Sequence, residues 1–262
     1  MPFKTLEFTI ENSIATIKFN RPDNANAMTP LMGSELLEAA IQCESDQSVR
    51  AVVITGNGKM FSAGGDLQSF EDAGDQKYGF LIRMATDLHQ ALIRFSHLDA
   101  PVIMAVNGTA AGAGFSISLA GDYVIASEKA KFVCAYTASG LTPDGSSTYF
   151  LAKHVGLMRA KELMLTNRVL SAEEACHWGM VSRVVEAGTE LQAALDMAKQ
   201  FAVGPTMAFG GVKSLLLSTF SNPIEAQLEK ETQSIANMMR TEDGPAGLSA
   251  FLAKQKPEFK GR

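Results

Sequence analysis

The chain has 262 residues, of which 46% are hydrophobic and 19% are charged, and its formal net charge is −5. This length and composition are typical of a globular protein with one large domain or two small ones. The acidic balance and the lack of a lysine and arginine cluster argue against a nucleic-acid partner.

The cysteines and the apolar runs indicate the compartment. Cys43, Cys134 and Cys176 lie far apart and show neither disulfide nor zinc-site spacing. The first residues do not resemble a signal peptide, and no uninterrupted apolar run approaches about 20 residues. We therefore expect a cytoplasmic protein that does not enter a membrane.

The N-terminal part predicts strands that alternate with helices. Leu6–Ile10 and Ile14–Phe19 alternate apolar and polar residues, which predicts a β-hairpin. Thr29 followed by proline predicts the N-cap of a helix that runs to about Cys43. Val49–Thr55 then predicts a buried strand.

The next segment predicts a loop and a helix. Gln68–Gly79 is polar and contains two glycines, so we expect an ordinary surface loop there. Phe80–Phe95 carries an apolar stripe at helical spacing. His89 lies beside that stripe, where a lone histidine is usually a packed or surface residue.

A glycine-rich stretch occupies the middle of the chain. The apolar run Val102–Val106 predicts a strand, and Gly108, Gly112 and Gly114 follow it before a second apolar segment that suits a buried helix. Unpaired amides at such a helix start can bind negative charge. The same glycines could also serve close helix packing, and their spacing does not match the dinucleotide-binding fingerprint.

A second small-residue turn follows another predicted strand. Val52–Gly56 leads to the sequence FSAGGDL at Phe61–Leu67. Two such turns could converge from neighbouring strands and present two backbone N–H donors as an oxyanion hole.

The C-terminal half changes from alternating elements to helices. Tyr123–Ala126 and Lys131–Cys134 predict strands, and a turn at Pro143–Gly145 leads into a helix near Ser146. From its position alone, Asp144 suits the N-cap of that helix. Beyond about Leu157 the sequence is mostly helical, so we predict an α/β fold with an all-helical C-terminal part.

The two glycine-containing motifs, FSAGGDL and VNGTAAGAGFSISLAGD, resemble the crotonase superfamily, also called the enoyl-CoA hydratase/isomerase family. The resemblance covers nearly the whole chain, from Phe19 to Lys213 and beyond. It implies a spiral of ββα repeats over residues 1–200 and a helical trimerisation region over residues 201–262. The expected assembly is a homotrimer or a dimer of trimers.

The resemblance also implies the ligand. An acyl-CoA thioester would place its carbonyl oxygen between the amides of Gly65 and Ala113, and coenzyme A would enter as part of the substrate, without a separate cofactor or metal. Many relatives have glycine at the position of Ala113, but alanine keeps the N–H. Asp66 is interpreted as a structural residue that hydrogen-bonds its turn. The resemblance assigns coenzyme A binding to Asn26, Ala27, Ala63, Gly64, Asp66, Leu67 and Lys254.

The residues facing the acyl group decide the reaction. Ser116 and Tyr136 align with the two glutamates of crotonase hydratases, and neither can replace a carboxylate in activating water. Asp144 aligns with the aspartate that moves protons in some enoyl-CoA isomerases. The run from Gly140 to Gly145 looks like the isomerases of phenylacetate breakdown. We therefore predict that Asp144 shifts a C=C bond from the 3 to the 2 position.

Three further functions stay open. The chain is similar to 4-chlorobenzoyl-CoA dehalogenase, in which the aspartate at Asp144 attacks the ring and a histidine at His89 activates water. That family has aromatic residues where Gly65, Leu88 and Tyr136 stand, which argues for a different acyl group here. The second function is that of a hydratase with atypical residues, and the third is that of a non-catalytic crotonase-fold binding protein.

Overall fold

The computed structural model describes residues 3–262, which form ten strands and ten α-helices. The strands are β1 (Leu6–Glu11), β2 (Ile14–Phe19), β3 (Ala51–Gly56), β4 (Met60–Ser62), β5 (Val102–Val106), β6 (Thr109–Ala111), β7 (Tyr123–Ser127), β8 (Lys131–Val133), β9 (Leu170–Ser171) and β10 (Arg183–Val185). The helices are α1 (Pro30–Ser45), α2 (Leu67–Asp72), α3 (Lys77–His97), α4 (Ala113–Leu119), α5 (Ser147–Thr166), α6 (Ala172–His177), α7 (Glu190–Ala202), α8 (Thr206–Ser218), α9 (Ile224–Met238) and α10 (Asp243–Leu252).

Two sheets organise these elements. The larger sheet has the order β1-β2-β3-β5-β7-β10, and its strands are parallel except for the β1–β2 hairpin. The smaller sheet has the order β4-β6-β8-β9, in which β4, β6 and β8 are parallel and β9 is antiparallel to β8. The predicted hairpin and the predicted α/β class are therefore confirmed.

Successive strands and helices form the turns of a spiral. β3 belongs to the large sheet, β4 to the small sheet, and α3 follows; the same order recurs with β5, β6 and α4, and with β7, β8 and α5. This is the ββα spiral that the family resemblance implies. Each spiral turn passes from the large sheet to the small sheet and then into a helix, so the segments after β4 and β6 lie side by side at the ends of neighbouring strands.

The helix boundaries agree with the local sequence signals at α1 but not at α5, whose N-cap residue is Ser146 and not Asp144. The hydroxyl oxygen of Thr29 accepts a hydrogen bond from the amide of Met32, and Pro30 is the first residue of α1, as predicted. α5 is broken at Gly156, whose φ is +78°, so the predicted helix from Met158 to Leu165 is its second half.

The predicted loop at Gln68–Gly79 is wrong. Leu67–Asp72 forms α2, a short 3₁₀ turn follows at Gly74–Gln76, and α3 begins at Lys77, three residues before the predicted start. Asp66 caps α2, because its carboxylate accepts a hydrogen bond from the amide of Ser69. The helical signal of this segment is weak because the helix is short and polar.

The central strands of the large sheet, β3, β5 and β7, are buried on both faces. On one face the core includes residues of α1, α3 and α4. On the other face Ala194, Ala198 and Ala202 of α7 pack against Ile103 and Ile125 of the sheet. The continuous apolar strands are typical of a parallel sheet covered on both sides.

Within residues 3–262, no single helix is long and apolar enough to cross a membrane. Only α7 and α8 taken together reach the necessary length and apolar composition, and these two helices are bent by 107° relative to each other.

Lys213 joins the C-terminal helices to the spiral. Its buried ammonium group lies 2.7 Å from Oδ2 of Asp122, and it donates to the carbonyl oxygens of Phe95 (3.0 Å) and Ala100 (3.1 Å). Burial lowers the pKa of Lys213, and the charge of Asp122 opposes that effect. All three acceptors lie in the spiral, so α8 is fixed to it by a charged contact.

Candidate active site

Two turns meet beside the small sheet. Ala63–Gly65 follows β4, and Gly112 leads from β6 into α4 at Ala113. A Cβ atom at Gly64 would lie 3.2 Å from the amide nitrogen of Ala113, so the two turns are in contact. Among the described residues, no protein group accepts the amide protons of Gly65 and Ala113, and both residues line the same cavity. The turns therefore bring together the two predicted oxyanion donors.

Small side chains make this arrangement possible. Gly64 has φ +97°, and a Cβ there would lie 2.9 Å from the carbonyl oxygen of Ala111. The hydroxyl of Ser62 accepts from the Gly64 amide and donates to the carbonyl of Asn26. A Cβ at Gly114 would lie 2.6 Å from that of Ser62, so this glycine also serves close packing of α4. The close-packing interpretation of the glycine-rich stretch is therefore confirmed at Gly114, while the anion-binding interpretation stays a prediction.

The cavity between the turns has a volume of about 290 Å³. Among its lining residues within 3–262, Asp144 is the one carboxylate. Much of the remaining wall is apolar and comes from α2, α3 and the segment before α5; this part consists of Leu67, Phe70, Leu81, Met84, Ala85, Leu88 and Leu141. An apolar chamber with one carboxylate and two amide donors suits proton transfer beside a polarised carbonyl group.

A chain of hydroxyl groups holds Asp144. The phenol of Tyr136 donates to Oδ1 of Asp144 at 2.6 Å, and Oγ of Ser116 lies 2.8 Å from the phenol oxygen. Burial, together with the charge of Asp144, raises the pKa of Tyr136 far above its ordinary value. Tyr136 is therefore a hydrogen-bond donor here and cannot act as a base. The two positions that align with the hydratase glutamates thus contact each other.

His89 approaches Asp144 from another side. Its Nε2 lies 3.4 Å from Oδ2 of Asp144 and accepts a hydrogen bond from the amide of Gly145 at 3.0 Å. That hydrogen bond assigns the lone pair to Nε2, so a neutral His89 carries its proton on Nδ1. His89 lines a neighbouring cavity of about 540 Å³, whereas the cavity with the amides is lined by Asp144. It therefore contacts the carboxylate from outside the cavity that contains the two amides.

Comparison with known proteins identifies the family of this chain. Residues 9–262 match the family model described as enoyl-CoA hydratase/isomerase. The chain is 37% identical to 1,2-epoxyphenylacetyl-CoA isomerase of Escherichia coli (strain K12) over 97% of both proteins. It is 36% identical to 4-chlorobenzoyl coenzyme A dehalogenase-2 of Arthrobacter sp, over 93% of this chain and 89% of the relative. The chain belongs to the enoyl-CoA hydratase/isomerase family.

Solved structures of the family share the whole fold. An enoyl-CoA hydratase from Polaromonas sp. JS666 superposes with a TM-score of 0.93 at 33% identity, covering 97% of this chain and 99% of that one. The crotonase resemblance seen in the two motifs is therefore confirmed over the full spiral. The relatives carry both isomerase and hydratase names. Family membership therefore does not specify the reaction, which has to be inferred from the residues of the site.

The predicted coenzyme A residues occupy different settings in this family member. Asn26 is fully buried. Its side chain accepts a hydrogen bond from the amide of Arg21 and donates to the carbonyls of Asn57 and Met60. It therefore joins the loop between β2 and α1 to the connection between β3 and β4 and to the start of β4. Asp66 pairs with Arg21 at 3.0 Å while capping α2, which is the structural role expected of it.

Of the other predicted coenzyme A residues, only some line the cavity. Ala63 and Leu67 line the cavity, Gly64 supports it, and Ala27 lies partly exposed in the loop before α1. Lys254 follows α10 and does not line this cavity. The assignment of all seven residues to coenzyme A remains a prediction.

Sequence reasoning missed part of the chamber wall. Phe70 of α2 faces Gly65, because a Cβ at Gly65 would lie 2.7 Å from the Phe70 ring. Leu141, in the segment before α5, closes another side. The signal for Phe70 was available in the sequence, because Asp66 is a good N-cap residue and Leu67 and Phe70 are three residues apart, on one helical face.

Proposed function

We propose that this protein is an enoyl-CoA isomerase that moves a C=C bond from the 3 to the 2 position of an acyl-CoA thioester, with Asp144 as the base. The observation that carries the proposal is the composition of the chamber. Gly65 and Ala113 contribute two amide donors, and Asp144 contributes the carboxylate. A single carboxylate is sufficient for a reaction that removes one proton and returns it elsewhere.

The proposed reaction has two proton transfers. The thioester oxygen accepts hydrogen bonds from the amides of Gly65 and Ala113, which makes the α-proton more acidic. Asp144 takes this proton, and the electron pair moves into an enolate whose charge rests on the thioester oxygen. Asp144 then returns the proton to the γ-carbon, and the double bond becomes conjugated with the carbonyl. One oxyanion donor contributes about 3–4 kcal/mol of transition-state stabilisation in comparable sites.

The chamber wall supports an apolar acyl group of modest size. Phe70 and Leu81 lie on one part of the wall, and Met84 and Leu141 lie on others. Burial of each aliphatic CH₂ group there would contribute about 0.8 kcal/mol to binding. We propose that coenzyme A is only the carrier portion of the substrate, with no separate cofactor.

The nucleophilic mechanism has one observation in its favour, which is the contact between His89 and Asp144. Two features weigh against it. Nε2 of His89 is used by the Gly145 amide, and His89 lines the neighbouring cavity. Dehalogenation therefore ranks second.

The test uses an acyl-CoA panel with the wild type and Asp144→Asn. The panel contains a 3-enoyl-CoA, a 2-enoyl-CoA and 4-chlorobenzoyl-CoA, followed by ultraviolet absorbance of the conjugated thioester and by chloride release. We expect the wild type to gain absorbance with the 3-enoyl substrate. We expect Asp144→Asn to lose about 10²- to 10⁴-fold in kcat, because general acid–base catalysis typically contributes that much.

The matched control is Asp75→Asn, which removes an exposed carboxylate from the turn before α3. It should retain the wild-type rate. Full turnover by Asp144→Asn on the 3-enoyl substrate would refute the proposed base. Chloride release that requires both Asp144 and His89 would establish the dehalogenase, and hydration of the 2-enoyl substrate would establish an atypical hydratase.

A further inference from the structure

The two carboxylate oxygens of Asp144 have different surroundings. Oδ1 accepts the phenol proton of Tyr136 at 2.6 Å. Oδ2 has Nε2 of His89 at 3.4 Å, and this nitrogen is already an acceptor for the Gly145 amide. Among the described residues, no protein donor is therefore bonded to Oδ2. One oxygen is held, and the other keeps its lone pairs available.

The protons of the hydroxyl chain can be assigned. Tyr136 has one phenol proton, and an ionised carboxylate can only accept, so this proton points to Asp144. Ser116 must then donate to the phenol oxygen, 2.8 Å away, in preference to the Gly112 carbonyl at 3.3 Å. Ser116 is fully buried, and Gly145 packs on it, because a Cβ at Gly145 would lie 2.9 Å from the Cβ of Ser116. The serine hydroxyl is thus fixed in place.

We propose that Tyr136 is a positioning residue that binds Oδ1 of Asp144, so that Oδ2 is the oxygen that removes the substrate proton, and that Ser116 orients Tyr136 for this task. The inference rests on the proposed isomerase function. It also explains how a site without the two hydratase glutamates makes use of both positions. The hydroxyls that replace those glutamates hold the remaining carboxylate.

This role has a consequence for the pH dependence. A hydrogen bond donated to a carboxylate stabilises its ionised form. Removing the phenol should therefore move the acidic limb of the rate profile to higher pH. The titratable side chains in contact with Asp144 are Tyr136, from the segment after β8, and His89, from α3. Both side chains must be substituted to find which group causes the acidic limb of the rate profile.

The experiment measures kcat and KM against pH for the wild type, Tyr136→Phe and Ser116→Ala on the 3-enoyl substrate. A hydrogen bond to a charged group is worth roughly 10- to 100-fold in an equilibrium or rate. For Tyr136→Phe we expect kcat to fall about 10-fold or more at the plateau, with KM changed less than about 3-fold, and the acidic limb to rise by about one pH unit. Ser116→Ala should give the same changes at smaller size.

Two controls separate positioning from folding and from His89. Tyr149→Phe removes a phenol that donates to the carbonyl of Leu217, away from Asp144, and should leave the profile unchanged. The limb should persist in His89→Gln and should still move when Tyr136→Phe is added. A limb and a kcat that stay at wild-type values in Tyr136→Phe would overturn the positioning role, even where Asp144→Asn is inactive. An active Asp144→Asn would instead refute the isomerase proposal itself.

Discussion

At Gly64 a single backbone conformation determines the geometry of the site. Its φ of +97° is one that residues with a side chain rarely adopt, and the Ala111 carbonyl and the Ala113 amide occupy the space where a Cβ would lie. The same residue therefore turns the chain toward Gly65 and brings the second turn close. The position of both amide donors depends on the absence of one methyl group.

The substitution Gly64→Ala tests this dependence. The methyl group would push the two turns apart by several tenths of an ångström, which misplaces the oxyanion donors. We expect kcat on the best acyl-CoA substrate to fall about 10²- to 10³-fold, the typical effect of losing one donor. Steady-state kinetics and a thermal melt of the same preparation measure the result.

The matched control is Gly188→Ala. Gly188 has a similar φ of +88°, but no atom lies within 4 Å of its would-be Cβ. Gly188→Ala should lower the free energy of unfolding by the backbone strain alone, about 1–3 kcal/mol, and should keep wild-type kinetics. Wild-type kcat in Gly64→Ala would contradict the proposed dependence.

At the level of elements, α1 is joined to the segment before β1 by one buried carboxylate. Glu35 accepts hydrogen bonds from the amides of Lys4 and Thr5, both at 2.8 Å, and from the Thr5 hydroxyl at 2.5 Å. Burial alone would raise the pKa of Glu35, but these hydrogen bonds outweigh burial and lower it below 4.5. The ionised form is therefore the one that stabilises the fold.

This lowered pKa gives a prediction with a definite sign. A carboxylate whose pKa is lowered by folding stabilises the protein above its unfolded pKa, here about 4.5, and loses that contribution as the pH falls through its folded pKa. Glu35→Gln should reduce the free energy of unfolding by about 1–3 kcal/mol at pH 7 and by much less near pH 3.5. Urea unfolding at both pH values measures the difference.

The control on the same helix is Glu38→Gln. Glu38 is exposed and accepts only from Gln42 within its own helix, so its substitution should change stability by less than about 0.5 kcal/mol at either pH. An effect of Glu35→Gln that is equal at both pH values would show that the carboxylate charge does not matter.

For the molecule as a whole, the C-terminal helices present apolar side chains to solvent. Phe220 is 75% exposed, Phe251 is 79% exposed and Leu252 is 74% exposed. Isolated exposed apolar residues are common, but large apolar patches usually mark an interface. We propose that these side chains contribute to an interface between subunits of the homotrimer, or dimer of trimers, that the family resemblance implies.

We predict that sedimentation gives three or six times the subunit mass of 28.0 kDa. The double substitution Phe251→Glu and Leu252→Glu should shift the protein toward the monomer, because charges would be buried without partners at the interface. Circular dichroism would confirm that each subunit remains folded. A wild type that sediments as a monomer at micromolar concentration would contradict the assembly.

Local signals made much of the fold predictable. The hairpin, the Thr29 cap and the strands follow from neighbouring residues, and the motifs around Gly65 and Ala113 identified the two turns that meet at the cavity. The contacts of Asp144 could not be predicted in this way. Tyr136 lies eight residues from it and Ser116 lies twenty from Tyr136. Only the spiral brings these three segments together, and the spiral itself follows from the resemblance and not from the pattern of elements.

Lys213 has a consequence for recombination among relatives. Its ammonium group sits on α8, whereas its acceptors at Phe95, Ala100 and Asp122 belong to the spiral. A chimera that joined this spiral at residue 200 to a C-terminal region without that lysine would remove the lysine donor from two carbonyls and leave the Asp122 carboxylate without its counter-charge, with the Val102 amide as its remaining donor. The junction is therefore an unfavourable crossover point unless the lysine is inherited with the spiral. In a shuffled chain, the lysine at position 213 would have to come from the same parent as the spiral, although position 213 lies in the C-terminal region.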